Sequence, residues 1–124
     1  MTVSGILHAT LLVADLARSR AFYGELLGMQ ETARPDLGFP GIWYRLGDGR
    51  ELHLMLLPNP EAGLARPEHG GRDRHIAFAV GGLDELAHRL GAAGIAYTRS
   101  RSGRAALFCR DPDDNALEFI EVAA

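Results

Sequence analysis

Ile6-Leu7-His8-Ala9-Thr10-Leu11-Leu12-Val13 alternates two sets of side chains, and Ala14-Asp15-Leu16 then changes the period. Leu7, Ala9, Leu11 and Val13 fall on one face and Ile6, His8, Thr10 and Leu12 on the other. This predicts a strand over 6–13 with both faces covered. Asp15 is a helix cap by type. Leu16, Ser19, Phe22, Tyr23, Leu26 and Leu27 then recur at helical spacing, and Gly28 supplies a left-handed stop. Extended segments follow over 31–34, 42–46 and 51–57, the last two joined by the hairpin signal Gly47-Asp48-Gly49. The same order then begins again. A shift of 67 residues lays His8 on His75, Val13 on Val80 and Leu16 on Leu83. A strand over 75–80, a helix over 83–93 ending at Gly94, and extended segments over 96–99, 105–110 and 116–122 follow. The turn cluster Asp111-Pro112-Asp113-Asp114-Asn115 separates the last two. A shift of 65 lays Trp43 on Phe108, Arg45 on Arg110, Asp48 on Asp113, Leu52 on Leu117, His53 on Glu118 and Leu54 on Phe119. The chain therefore reads as two copies of a strand–helix–three-strand module, one of them two residues shorter. The Pro- and Gly-rich stretch 58–74 reads as the linker.

Composition removes several function classes. At 124 residues the chain has one-domain length, and 47% apolar with 23% charged residues is a globular composition. All 13 basic residues are Arg, so Schiff-base, PLP-binding and P-loop lysines are excluded. The lone Cys109 excludes an intrachain disulfide framework and a Cys-rich zinc site, and it reads as inert packing. A net charge of −3 argues against nucleic acid as a partner. No apolar run approaches a membrane span, and residues 1–5 lack a signal-peptide pattern. The expectation is a soluble, cytoplasmic protein that binds neither nucleic acid nor membrane.

Four polar side chains fall on the faces opposite the apolar ones. In 51–57, Leu52, Leu54 and Leu56 share one face while His53 and Met55 take the other. In 116–122, Leu117 and Phe119 oppose Glu118 and Ile120. His8 lies opposite Leu7 and Ala9, and His75 opposite Ile76 and Phe78. Each strand thus carries one strong ligand type: His8, His53, His75 and Glu118. An ionised Glu118 facing the interior of a sheet costs several kcal/mol unless it is paired or metal-bound. Imidazoles with a carboxylate suit zinc, iron, nickel, cobalt or manganese. Trp43, Tyr44, Met55 and Phe108 are candidates to line the same face, with plain core as the alternative. His69 in the linker and His88 on a helix read as solvated, His69 being the one of the two suited to a lid or substrate role. Arg72 and Arg74 read as linker cations, with an anionic substrate as the alternative.

The sequence resembles the vicinal oxygen chelate superfamily along essentially its whole length. The resemblance rests on Leu7-His8-Ala9-Thr10 with Val13-Ala14-Asp15-Leu16, and on Phe22-Tyr23 through Leu26-Leu27-Gly28-Met29. It rests further on Arg74-His75-Ile76-Ala77-Phe78 and on Asp111-Pro112-Asp113-Asp114-Asn115-Ala116-Leu117-Glu118. Asp114 stands where the family motif usually has Gly. The superfamily includes glyoxalase I, methylmalonyl-CoA epimerase, fosfomycin-resistance thiol transferases, extradiol dioxygenases and bleomycin-resistance proteins. The resemblance implies an α+β fold. Two βαβββ modules form a curled mixed sheet cup with helices outside, in a single domain 1–124 (module one about 5–57, linker 58–74, module two 75–122). It also implies one divalent metal ion (Zn, Fe, Ni, Co or Mn) on His8, His53, His75 and Glu118. Position 53 is Glu in glyoxalase I-like and Gln in epimerase-like members. Its His is therefore either a fourth ligand or a base, and with Glu118 it is the expected catalytic pair. The implied activity is that of a metal-dependent enzyme that chelates vicinal oxygens of a small-molecule substrate, to stabilise an enolate or to activate dioxygen. A non-catalytic binding or resistance protein of the bleomycin-resistance type is the alternative. The implied assembly is a homodimer.

Overall fold

In the computed structural model, which describes residues 1–123, the chain divides into two compact units, Met1–Pro60 and a second from Glu61 onward. Ala124, the last residue of the expected domain, lies outside the described residues. The first unit runs β1 (His8–Val13), α1 (Leu16–Ser19), a π-helical continuation (Arg20–Leu26), β2 (Gln30–Thr32), β3 (Gly41–Arg45) and β4 (Glu51–Leu56). Its sheet has the order β1-β4-β3-β2, with β1 parallel to β4 and the other neighbours antiparallel. The second unit runs β5 (His75–Val80), α2 (Leu83–Ala92), β6 (Tyr97–Arg99), β7 (Ala106–Arg110) and β8 (Ala116–Glu121). Its order is β5-β8-β7-β6, again with one parallel pair at the same end. Each unit is thus a βαβββ module with an open four-stranded mixed sheet, the α+β architecture expected.

The repeat extends to register. His8 lies opposite Glu51 in the first sheet and His75 opposite Ala116 in the second, positions related by the two shifts found in the sequence. The two-residue difference falls between the second and third strands. Residues 33–40 connect β2 to β3, whereas the shorter stretch 100–105 connects β6 to β7.

Each sheet buries the face that the alternation marked as apolar. In the first unit Ile42, Tyr44, Leu52 and Leu54 are each at most 2% exposed, and Tyr23 from the helical segment packs near Tyr44 with ring centroids 6.2 Å apart. In the second, Phe78, Leu107, Cys109, Leu117 and Phe119 are buried, as are Leu83, Leu86, Ala87 and Leu90 on one side of α2. Burial of seven large apolar side chains in the first unit and eight in the second among the described residues, at roughly 1.5–3 kcal/mol each, is the main force holding either module together.

Three local expectations need correction. The first strand begins at His8, and Ile6 and Leu7 are exposed, because β4 starts at Glu51 and offers no ladder beyond it. The expected regular helix is one α-turn followed by a π-helix, in which the Leu27 amide donates to the Phe22 carbonyl. Its cap is as read: the Asp15 carboxylate accepts from the Arg18 amide at 3.0 Å, and Gly28 follows with φ +74°. Finally, within the stretch read as the linker, the side chains are tied down from Glu61 on. Arg66 and Arg74 both pair with Glu61, Arg66 and Arg110 both pair with Asp73, and Gly70–Arg72 forms a 3-10 turn.

Candidate functional site

The face of each sheet turned away from its core gathers polar side chains in pairs. In the first unit, strand pairing sets Thr10 and Trp43 on either side of His53, and Glu51 beside His8. The His53 ring is clamped. It stacks on Trp43 at 4.0 Å with planes 3° apart, and on His8 at 4.1 Å with planes 16° apart. Its Nε2 lies 2.9 Å from Glu51 Oε1 and donates to that carboxylate. This bond is the main reason the Glu51 carboxyl is held below its ordinary range, with Arg45 at 3.3 Å adding to it. In the neutral ring Nδ1 is then the nitrogen with the lone pair. Glu51 was absent from the sequence expectations, although its spacing of two from His53 already put it on the same face.

This face opens into a cavity of about 460 Å³ lined by His8, Thr10, Arg34, Trp43, His53 and Met55 together with Glu51 and Leu37. Of the aromatic candidates, Trp43 lines the cavity, whereas Tyr44 belongs to the core.

In the second unit His75 and Glu118 meet, with Nε2 3.2 Å from Oε1. The His75 Nδ1–H donates to the Asp73 carbonyl at 2.8 Å. That residue is itself fixed by Arg110, whose guanidinium holds the Asp73 carboxyl below its ordinary range. With Nδ1 donating to Asp73, Nε2 faces a carboxylate oxygen, and the two share either a proton on Nε2, as an imidazolium–carboxylate pair, or a metal ion in its place. A histidine whose second nitrogen donates to a backbone carbonyl, beside a carboxylate about 3 Å away, offers two of the three or four ligands that a small divalent ion takes. Glu118 is 3% exposed, and its other oxygen accepts from Arg104 Nη2 at 3.2 Å. Phe108 meets His75 edge-on, with ring centroids 5.3 Å apart, and meets His69 in the same manner.

His8 is thus brought to His53, and His75 to Glu118. Among the described residues, no three of His, Cys, Asp or Glu gather as a metal-holding group within either unit. His69 is not solvated: its Nδ1 is 2.9 Å from Thr98 Oγ1. His88 is exposed on α2, as expected, and Arg74 is engaged by Glu61 rather than left free for a substrate. Arg104 and Arg34 were both missed. They come from the aperiodic connections 100–105 and 33–40, where no pattern predicts the direction of a side chain.

A sequence model described as "Glyoxalase/Bleomycin resistance protein/Dioxygenase superfamily" matches residues 5–119. The YwkD protein of Bacillus subtilis is 34% identical over 128 aligned positions, covering 98% of this chain and 99% of that one. The lactoylglutathione lyase of Haemophilus influenzae is 32% identical, covering 94% of this chain and 91% of its own. Among solved structures, a glyoxylase/bleomycin resistance protein/dioxygenase domain from Frankia sp. EAN1pec superposes with a TM-score of 0.76 at 29% identity. That superposition covers 97% of this chain and 98% of the other.

Proposed function

Since the chain belongs to the Glyoxalase/Bleomycin resistance protein/Dioxygenase superfamily, we propose that it is a divalent-metal-dependent enzyme that moves a proton on a small substrate bearing neighbouring oxygens. Lyase or isomerase chemistry is the reaction class. The observation that carries this reading is the His75–Glu118 pair, with Nε2 and Oε1 3.2 Å apart on one face and His75 Nδ1 already committed to the Asp73 carbonyl. His8, His75 and Glu118 would hold the ion, in one chain or shared between two copies of it. When bound, the ion supplies Lewis acidity toward two adjacent substrate oxygens.

The chain's own residues supply the proton chemistry. Glu51 holds His53 by Nε2, and the flanking rings of His8 and Trp43 fix its plane. A histidine oriented by a carboxylate is a general base, and Nδ1 is the atom at which it accepts a proton. The ionised Glu51 stabilises the imidazolium that results. This favours His53 as base over His53 as fourth ligand. Glu118, buried and bonded to Arg104 through Oε2, holds Oε1 in place for a cation.

One observation favours the non-catalytic binding alternative. Arg104 Nη2 already pairs with Glu118 Oε2 at 3.2 Å, so this carboxyl group has a cationic partner without a metal. Metal analysis of the purified protein, followed by reconstitution with each of Zn, Fe, Ni, Co and Mn, separates the two. Glu118→Gln is expected to weaken metal binding by at least the roughly 10–100-fold typical of losing even an outer-shell partner, with the fold intact by circular dichroism. His53→Ala is expected to keep the metal and lose turnover. Unchanged metal content in Glu118→Gln would refute the ligand set. No metal uptake in the parent would leave the binding alternative standing.

A further inference from the structure

The Nε and Nη2 of Arg34 have no hydrogen-bond partner among the described residues. Arg34 lies in the 33–40 connection, and both atoms are buried. The guanidinium stacks over the Phe39 ring at 5.0 Å and rests against Gly41, where a Cβ would stand 2.9 Å from both Cζ and Nε. Only a glycine leaves room for it there. These contacts fix the plane of the group while supplying no acceptor. Its place is the wall of the cavity shared by His8, Trp43 and His53.

The two unsatisfied atoms are informative in themselves. Nε–H and Nη2–H project from the same edge of a guanidinium, the edge that takes two oxygens of one planar or tetrahedral oxyanion side-on. Arg34 as a whole is half-buried, but its Nε and Nη2 are sealed; donors sealed without an acceptor are disfavoured, and among the described residues no carboxylate pairs with them. The nearest acid lining the cavity, Glu51, is already engaged by His53 and Arg45.

We infer that Arg34 is a specificity-determining residue that binds an oxyanion group of the substrate, a carboxylate or a phosphonate-type group, in the first-unit cavity. The inference deepens the proposed function and rests on it for the identity of the occupant. Oxyanion binding itself requires no metal. An acid substrate seated by Arg34 would lie beside His53, so the proton moved would be one close to the charged group.

The test uses metal-free full-length protein, titrated into the millimolar range with acetate, methylphosphonate and, as the uncharged control, acetamide. The Arg34 Nε–H resonance, assigned by its loss in Arg34→Lys, reports the site. Emission of Trp43, the sole tryptophan, reports filling of the cavity. Saturable movement of the Nε–H signal with one or both anions and not with acetamide is expected, and the anion that acts at lower concentration identifies the group. Arg34→Lys keeps the charge but removes the side-on fork, so its affinity should fall by about tenfold or more. An Nε–H signal that neither anion moves, or equal affinity in Arg34→Lys, would overturn the inference. If Arg34→Lys does not fold, the parent's Nε–H titration decides alone. Anion binding without any metal uptake would sink the metal reading and spare this one; metal uptake without anion binding would do the reverse.

Discussion

At Cys109 burial and chemistry meet in one atom. The residue sits in β7 at 4% exposure, and burial pushes its thiol from an ordinary value of 9.0 up to about 12. Between those values the unfolded chain releases a proton that the folded chain keeps, so this group's contribution to stability falls as pH rises above 9. The nucleophile is the thiolate, so the native protein should be inert to a disulfide reagent at neutral and mildly alkaline pH. Full reaction should come only with denaturant. Rapid native labelling at neutral pH would show that β7 opens far more readily than its packing implies. That inertness was legible in the sequence, as were the faces of His8, His53, His75 and Glu118, because alternation along a strand fixes which way a side chain points. The partners of those residues were less so. Glu51 shared the alternation, whereas Arg34 and Arg104 reach in from connections with no period.

Among the elements, the turn before β8 is set by backbone conformation. Asp111 Oδ1 accepts from the amides of Asp113 and Asn115, both at 2.9 Å, and this leaves Asp114 at φ +69°. It is the one non-glycine residue in the left-handed region among those described. Asp tolerates that region and β-branched residues do not. Asp114→Val should therefore lower the unfolding free energy by about 1–2 kcal/mol, while Asp114→Gly should stay within about 0.5 kcal/mol of the parent. Urea unfolding midpoints measure both. Equal losses would mean that the carboxylate, which lies 3.7 Å from Arg110, matters more than the backbone. The position of this turn was readable from composition. The π-helical run after α1 was not, because spacings of three and four residues are shared by the two helix types and only the hydrogen bonds separate them.

For the whole molecule, β1 and β5 each stand at the edge of their own sheet, and β1 continues into exposed Ile6 and Leu7. Open edges beside apolar side chains favour pairing with another chain. A homodimer is therefore expected, and sedimentation at micromolar concentration should find twice 13.4 kDa; a monomer alone would contradict it. Among the described residues no helix is long and apolar enough to cross a membrane. The duplication was the most legible feature of the sequence, since both shifts reappear in the strand registers. Its difference in connection length has an evolutionary consequence. Lengthening a connection from six residues to eight adds only about 0.3 kcal/mol of loop-closure entropy, whereas one residue inserted into β4 would turn His53 and every neighbour to the wrong side. Descendants of such a duplicated ancestor can therefore explore new substrates through the stretch that holds Arg34, at almost no thermodynamic risk, while the strands that carry the histidines stay fixed.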